Sequence, residues 1–117
     1  MHKETLVKVN AWVDEGVCDL VSALNELPNV ETLDSCEDDA GSARVYFRFR
    51  GTPWENLKRV HELAVSLENE DRVGCQYDIS VEYRGDCNPI VRIATAPANV
   101  KLLAAAVRAS VLVARCA

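Results

Sequence analysis

The segment Thr32-Leu33-Asp34-Ser35-Cys36-Glu37-Asp38-Asp39 holds one thiol, two hydroxyls and four carboxylates, the densest gathering of reactive side chains in the chain. Asp34, Glu37, Asp38 and Asp39 are hard oxygen donors of the kind that hold magnesium or calcium. The spacing of a calcium loop is absent, because Cys36 stands where an EF-hand has an oxygen ligand and Gly41 comes too late for its turn. A solvated hairpin loop accounts for the same residues, so neither a metal nor a cofactor is assigned. Cys36 is the candidate nucleophile, with Ser35 as the neighbouring hydroxyl. A reactive thiol needs a nearby base or positive potential, and its neighbours in sequence are carboxylates. His61 could serve as the base only if a helix carried it across, and on the helical wheel it borders an apolar stripe, as a boundary histidine does. A site reading therefore has Cys36, Ser35 and His61 as catalytic candidates and Asp34, Asp38, Asp39 and Arg44 as ligand-binding ones.

A second cluster is basic. Arg44, Arg48 and Arg50 share one side of a strand with Tyr46, a pattern that RNA-binding sheets use when they expose aromatics beside cations. Phe47 and Phe49 fall on the opposite side, and Asp78 and Glu82 on another strand dilute the charge. A mixed, solvated sheet face is the expectation, with a protein-binding face next. The net charge of −5 repels a phosphate backbone, which disfavours a general nucleic-acid binder. Cys18, Cys36, Cys75, Cys87 and Cys116 are odd in number and widely separated, a poor disulfide framework and a poor zinc site. Small buried thiols in a reducing compartment are expected instead.

The elements that position these residues follow from periodicity. Thr5 to Val13 alternates and reads as one half-buried strand. Asp14 stands as an N-cap before a helix whose buried positions are Val17, Leu20, Val21, Leu24 and Leu27, ended by Pro28. Val30–Cys36 and Ala43–Arg50 read as two strands joined by an acidic loop, with Gly51 breaking the second. Thr52-Pro53-Trp54-Glu55 supplies a capping box for a second helix, with Leu57, Val60, Leu63, Ala64 and Leu67 buried and Lys58, Arg59, Glu62 and Ser66 opposite. Cys75 to Tyr83 and the run around Ile90, Val91 and Ile93 form a hairpin through Arg84-Gly85-Asp86.

Pro97 opens a last helix in which Lys101, Arg108 and Arg115 recur every seven residues amid alanine, valine and leucine. One flank carries Leu102, Ala106, Ala109 and Val113 and the next Leu103, Val107, Val111 and Ala114, so a helix clamped between core and partner is expected. Leu102, Ala106, Ala109 and Val113 are the candidate interface of a homodimer.

The length of 117 residues suits one α+β domain spanning 1–117, at a size where folding removes roughly two-thirds of the unfolded chain's surface. The order β-α-β-β-α-β-β-α begins with the ferredoxin-like β-α-β-β-α-β order and adds a strand and a C-terminal helix. An antiparallel sheet with helices on one face is expected. The chain also divides into two αββ halves, Leu20 to Phe49 and Leu63 to Ile93, echoed by Leu24-Asn25-Glu26 against Leu67-Glu68-Asn69. The N-terminus lacks the apolar stretch of a signal peptide, and no run approaches the roughly 18 apolar residues that span a bilayer. No membrane association and a cytoplasmic location are expected.

Trp12-Val13-Asp14-Glu15-Gly16-Val17, Leu24-Asn25, Thr32-Leu33-Asp34-Ser35-Cys36 and Ala43-Arg44-Val45-Tyr46-Phe47 resemble small uncharacterised proteins of actinobacteria and their phages. That likeness covers the first half of the chain and implies no activity. Thr32, Ser35 and Cys36 are also similar to a strand end in the wybutosine tRNA methyltransferase family, with Gly41 and Arg44 displaced by an acidic insertion. The second likeness implies action on RNA. The sequence thus supports a non-enzymatic interaction or regulatory protein that binds a protein partner or itself, and the first likeness implies phage or prophage descent. The alternative is a small enzyme or ligand-binding domain centred on Asp34-Ser35-Cys36.

Overall fold

Strict alternation of apolar and polar residues gives a strand one dry and one wet face. The strand that shows it best, β4 (Ala43–Phe49), lies at the centre of the fold. The computed structural model describes residues 4–7, 11–37, 41–68, 74–83, 85 and 88–110. Ala43, Val45, Phe47 and Phe49 are fully buried, while Arg44, Tyr46 and Arg48 between them are half-buried. The Phe47 and Phe49 rings meet edge to face, 5.9 Å between centroids, a geometry that favours the ring quadrupoles.

Around β4 stand β3 (Val30–Glu37), β5 (Tyr77–Glu82) and β6 (Ile90–Thr95), in an antiparallel sheet ordered β3-β4-β6-β5. Three helices, α1 (Cys18–Asn25), α2 (Pro53–Glu68) and α3 (Val100–Arg108), supply Leu20, Leu24, Leu63, Leu67, Leu103 and Val107 to the core on the dry face. The protein is α+β, as the patterning predicts. The sheet is built from two hairpins, each preceded by a helix, so the division into αββ halves describes it directly.

The ferredoxin-like arrangement is not formed among the described residues. Its first strand would enter the main sheet. Here the N-terminal stretch gives two short strands, β1 (Glu4–Val7) and β2 (Ala11–Asp14), which pair with each other. Alternation is common to one long strand and to two short ones folded together, so the period could not tell them apart.

Two further boundaries differ from the sequence reading. A 3₁₀ turn, Glu15–Val17, precedes α1, whose cap position is Val17 and carries no side-chain bond, so Asp14 does not cap the α-helix. In α2 the buried stripe is Asn56, Val60, Leu63, Ser66 and Leu67. It is rotated toward Ser66, which the sequence reading placed outside, and Leu57 and Ala64 are left half-buried. The rotation follows from Asn56. Its Oδ1 accepts from Phe49 N at 2.9 Å, and its Nδ2 donates to Pro89 O at 2.8 Å and to Asn88 Oδ1 at 3.0 Å. A fully satisfied polar side chain can therefore occupy a core position.

The start of α2 agrees with the sequence. Glu55 N donates to Thr52 Oγ1 at 3.1 Å and Thr52 N donates to Glu55 Oε2 at 3.3 Å, the reciprocal bonds of a capping box. Gly51, just before it, has φ +118°, and a Cβ there would collide with the Glu55 carboxylate that completes the box.

Candidate functional site

Register decides which of the candidate residues meet. Across β3 and β4, Cys36 pairs with Arg44 and Asp34 with Tyr46; across β4 and β6, Arg44 pairs with Ala94 and Tyr46 with Arg92. Asp34, Cys36 and Arg44 therefore project from the same outer face of the sheet, away from the helices. Ser35 pairs with the buried Val45 and belongs to the other face. A one-residue irregularity between Thr32 and Asp34 keeps both in phase with β4 by displacing Leu33, which is left exposed. Asp34 Oδ1 accepts from Ser35 N at 2.8 Å, a local bond within the strand.

His61 is exposed on α2, which packs on the inner side of β4, so the sheet separates it from Cys36. The Cys36–His61 pairing weighed from the sequence is not assembled. Asp38 and Asp39 lie outside the described residues. No group of three or more His, Cys, Asp or Glu side chains among the described residues is arranged to hold a metal. Cys18, Cys36 and Cys75 are free, half-buried thiols; Cys87 and Cys116 lie outside the described residues. A polar groove of about 270 Å³ is lined by Asn29, Arg50, Glu55, Lys58, Arg59 and Glu62. An open depression of about 330 Å³ runs along Gly41, Ser42, Gln76, Tyr77, Asp78 and Ala94 to Ala96. Neither is lined by Asp34, Ser35, Cys36 or His61.

The outer face has an ordered charge pattern. The two central strands present Arg44, Arg48 and Arg92, and the two edge strands present Glu31 and Asp34 on one side and Asp78 and Glu82 on the other. Arg48 Nε lies 3.3 Å from Glu31 Oε2, and Arg92 Nη1 lies 3.5 Å from Asp78 Oδ2. The face mixes both signs, as the sequence predicts, but is less solvated than expected: Asp34 and Asp78 are exposed, and Arg44, Arg48 and Arg92 are half-buried.

At the far edge, apolar side chains are left uncovered. The inward row of β5 is Tyr77, Ile79 and Val81, in register with Thr95, Ile93 and Val91. Among the described elements β5 packs chiefly with β6; Tyr77 and Ile79 reach the core at one end, and Val81 at the other is left partly open. Val81 is 38% exposed and Tyr83 63%. Trp54, in the first turn of α2, is 75% exposed. It stands two residues before Asn56, which is bonded to Pro89, while Ile90 pairs with Glu82. Trp54 and Tyr83 therefore share one end of the sheet. The sequence reading missed this region, because alternation shows which residues face inward but not whether anything covers them. Asn56 was also missed, although its phase with Val60, Leu63 and Leu67 marks it as a polar residue on the apolar register.

The other end of β5 is tied down. Tyr77 Oη donates to Glu68 Oε1 at 2.7 Å, and Thr95 Oγ1 donates to Gln76 O at 2.7 Å. Burial, followed by the hydrogen bond to Glu68 and the charge of that carboxylate, pushes the Tyr77 phenol well above its ordinary range.

In α3, Val100, Leu103, Ala104, Ala106 and Val107 are buried, and Lys101, Leu102, Ala105, Arg108 and Ala109 are exposed. Ala106, placed on the candidate interface from the sequence, is 3% exposed and faces this chain's own core. Leu102, 51% exposed, and Ala109 reach solvent; Val113 lies outside the described residues. Arg108 Nε lies 2.7 Å from Glu26 Oε2, holding α3 to the end of α1. Among the described residues no helix is long and apolar enough to cross a membrane. No family model matches the chain, and no curated protein and no solved structure is significantly similar to it, so the resemblances read from the sequence rest on their own residues.

Proposed function

We propose that this chain is a non-enzymatic, cytoplasmic protein-binding module, of phage or prophage descent, that engages its partner through the second half of its sheet. The observation that carries this reading is the exposure of Trp54, Val81 and Tyr83 at one end of the molecule. Large amphipathic aromatics contribute most of the binding energy of protein interfaces when a partner excludes water from them. The outer face supports the same reading, since arginines paired with carboxylates make a neutralised surface and not a cationic track for nucleic acid. Self-association through Leu102 and Ala109 of α3 is the homodimeric form of the proposal.

A second reading, a ligand-binding or catalytic site on the outer face, is favoured by one observation: Cys36 lies directly opposite Arg44, with Asp34 on the same face. Cross-linking separates the two. A photoreactive phenylalanine analogue at Tyr83, in protein recovered from producing cells, should trap a discrete partner, and Trp54→Ala with Cys36 intact should abolish the trapping. Cys36→Ser should leave it unchanged. Loss of biological activity in folded Cys36→Ser, with full activity in Trp54→Ala, would move the function to the outer face.

A further inference from the structure

The two edges of the sheet differ in a way that bears on what can be added to them. A strand at a sheet edge presents unpaired backbone donors and acceptors, and proteins usually blunt such edges with bulges, charges or coverings. The β3 edge is interrupted by the irregularity at Leu33. The β5 edge is regular from Tyr77 to Glu82 and, among the described residues, pairs with β6 on one side only. Its outward-facing row is Asp78, Ser80 and Glu82, with Asp78 exposed at one end and Glu82 half-buried at the other. Its inward row, Ile79 and Val81 continuing to Tyr83, is incompletely covered.

We infer that β5 is a strand-addition site for an extended peptide that alternates basic and apolar residues. The inference rests on the protein-binding reading above and names the partner's chemistry. Backbone pairing along an edge gives affinity, and the alternate side chains give specificity. In an added strand, every second residue would stand on the outer face beside Asp78 and Glu82, where a cation is complementary. The residues between would continue the inner row beside Ile79 and Val81, where an apolar side chain removes surface from water. The sheet repeats this pattern internally: Arg92 of β6 lies beside Asp78, and Val91 and Ile93 lie beside Val81 and Ile79. A second copy is a poorer occupant, because self-pairing of β5 brings two acidic rows onto one face.

The test uses the full chain and a fluorescein-labelled peptide of alternating arginine and valine, followed by fluorescence anisotropy at 0.15 M salt. The wild type should bind it, and an alternating glutamate–valine peptide should fail to bind. Asp78→Lys with Glu82→Lys should lose at least tenfold in affinity for the basic peptide and gain affinity for the acidic one. Asp19→Lys with Glu62→Lys, an equal change in net charge elsewhere, should stay within about threefold of wild type. If the reversal variant does not fold, Asp78→Asn with Glu82→Gln should still lose affinity for the basic peptide. Methylating alternate backbone nitrogens of the peptide should abolish binding, because a strand without donors cannot pair. Equal losses in the two charge-reversal pairs would reduce the effect to general electrostatics and overturn the inference. A wild type that scatters light as a dimer dissociated by Asp78→Lys would assign the edge to a second copy and overturn it as well. If a cellular partner is trapped at Tyr83 equally well in wild type and in Asp78→Lys/Glu82→Lys, the β5 assignment fails while the protein-binding reading stands. Absence of any trapped partner would remove that reading instead.

Discussion

The two αββ halves use one plan and finish it differently. In each, a buried leucine near the helix end, Leu24 or Leu67, is followed by a residue that accepts a hydrogen bond from the next strand. Thr32 Oγ1 donates to Asn25 Oδ1 at 3.4 Å, and Tyr77 Oη donates to Glu68 Oε1 at 2.7 Å. The second strands of the halves, β4 and β6, pair at the centre, Val45 opposite Ile93. The difference lies in the covering. α3 packs chiefly on α1 and only lightly on α2, while α2 leans over β4 of the first half. Among the described elements the first half receives helices on its inner face from both directions, while β5 of the second half packs chiefly on β6. Surface left uncovered after such a division is where binding is expected, because the covered half already supplies the core.

The largest effect that could break this comparison comes from the matched leucines. Leu24→Ala should destabilise the chain by about 4 kcal/mol, since α3 on α1 and the strands beneath leave the cavity little room to collapse. Leu67→Ala should cost about 2 kcal/mol, because the less covered half can relax. Equal losses in denaturant unfolding would mean that the halves are equally closed.

Asn56→Ala tests the joint between them, as Asn56 ties β4 of one half to the start of β6 in the other. It leaves the buried Phe49 N and Pro89 O groups without their partner and should cost about 3 kcal/mol. A midpoint within error of wild type would show that water replaces these bonds. Thr52→Ala removes one arm of the capping box and should cost about 1 kcal/mol. An unchanged midpoint would remove the box from the account of why α2 begins where it does.

The smallest effect concerns the tie at Tyr77. The folded chain holds the phenol proton to higher pH than the unfolded chain does, so the folded state binds more protons on the alkaline side. The resulting stabilisation is fully present below a pH of about 10, where the unfolded phenol is also protonated, and is lost as pH rises through the raised folded value. Tyr77→Phe should lower stability at pH 7 by about 0.5 kcal/mol, through loss of the bond to Glu68, and flatten the alkaline decline. An alkaline limb as steep as that of wild type would place the decline in other groups.

Much of the fold was legible because local chemistry repeats at the period of the element it makes. Ala43 to Phe49 could bury only one side, and Thr52 and Glu55 stand at the separation that lets each satisfy the other's backbone. The site was less legible. Asp34, Ser35 and Cys36 are consecutive, yet strand geometry sends Ser35 to the opposite face, and His61 is kept from Cys36 by the sheet itself.

By itself the sequence determined the α+β class, the start of α2 and the inward rows of β4 and β5, because periodicity and capping act over a few residues. Tertiary structure decided the rest. It set the order β3-β4-β6-β5, kept the N-terminal strands out of that sheet, turned Ala106 into the core and left Trp54, Val81 and Tyr83 exposed. These outcomes depend on which elements compete for the same apolar surface, and that competition is between residues far apart in the chain.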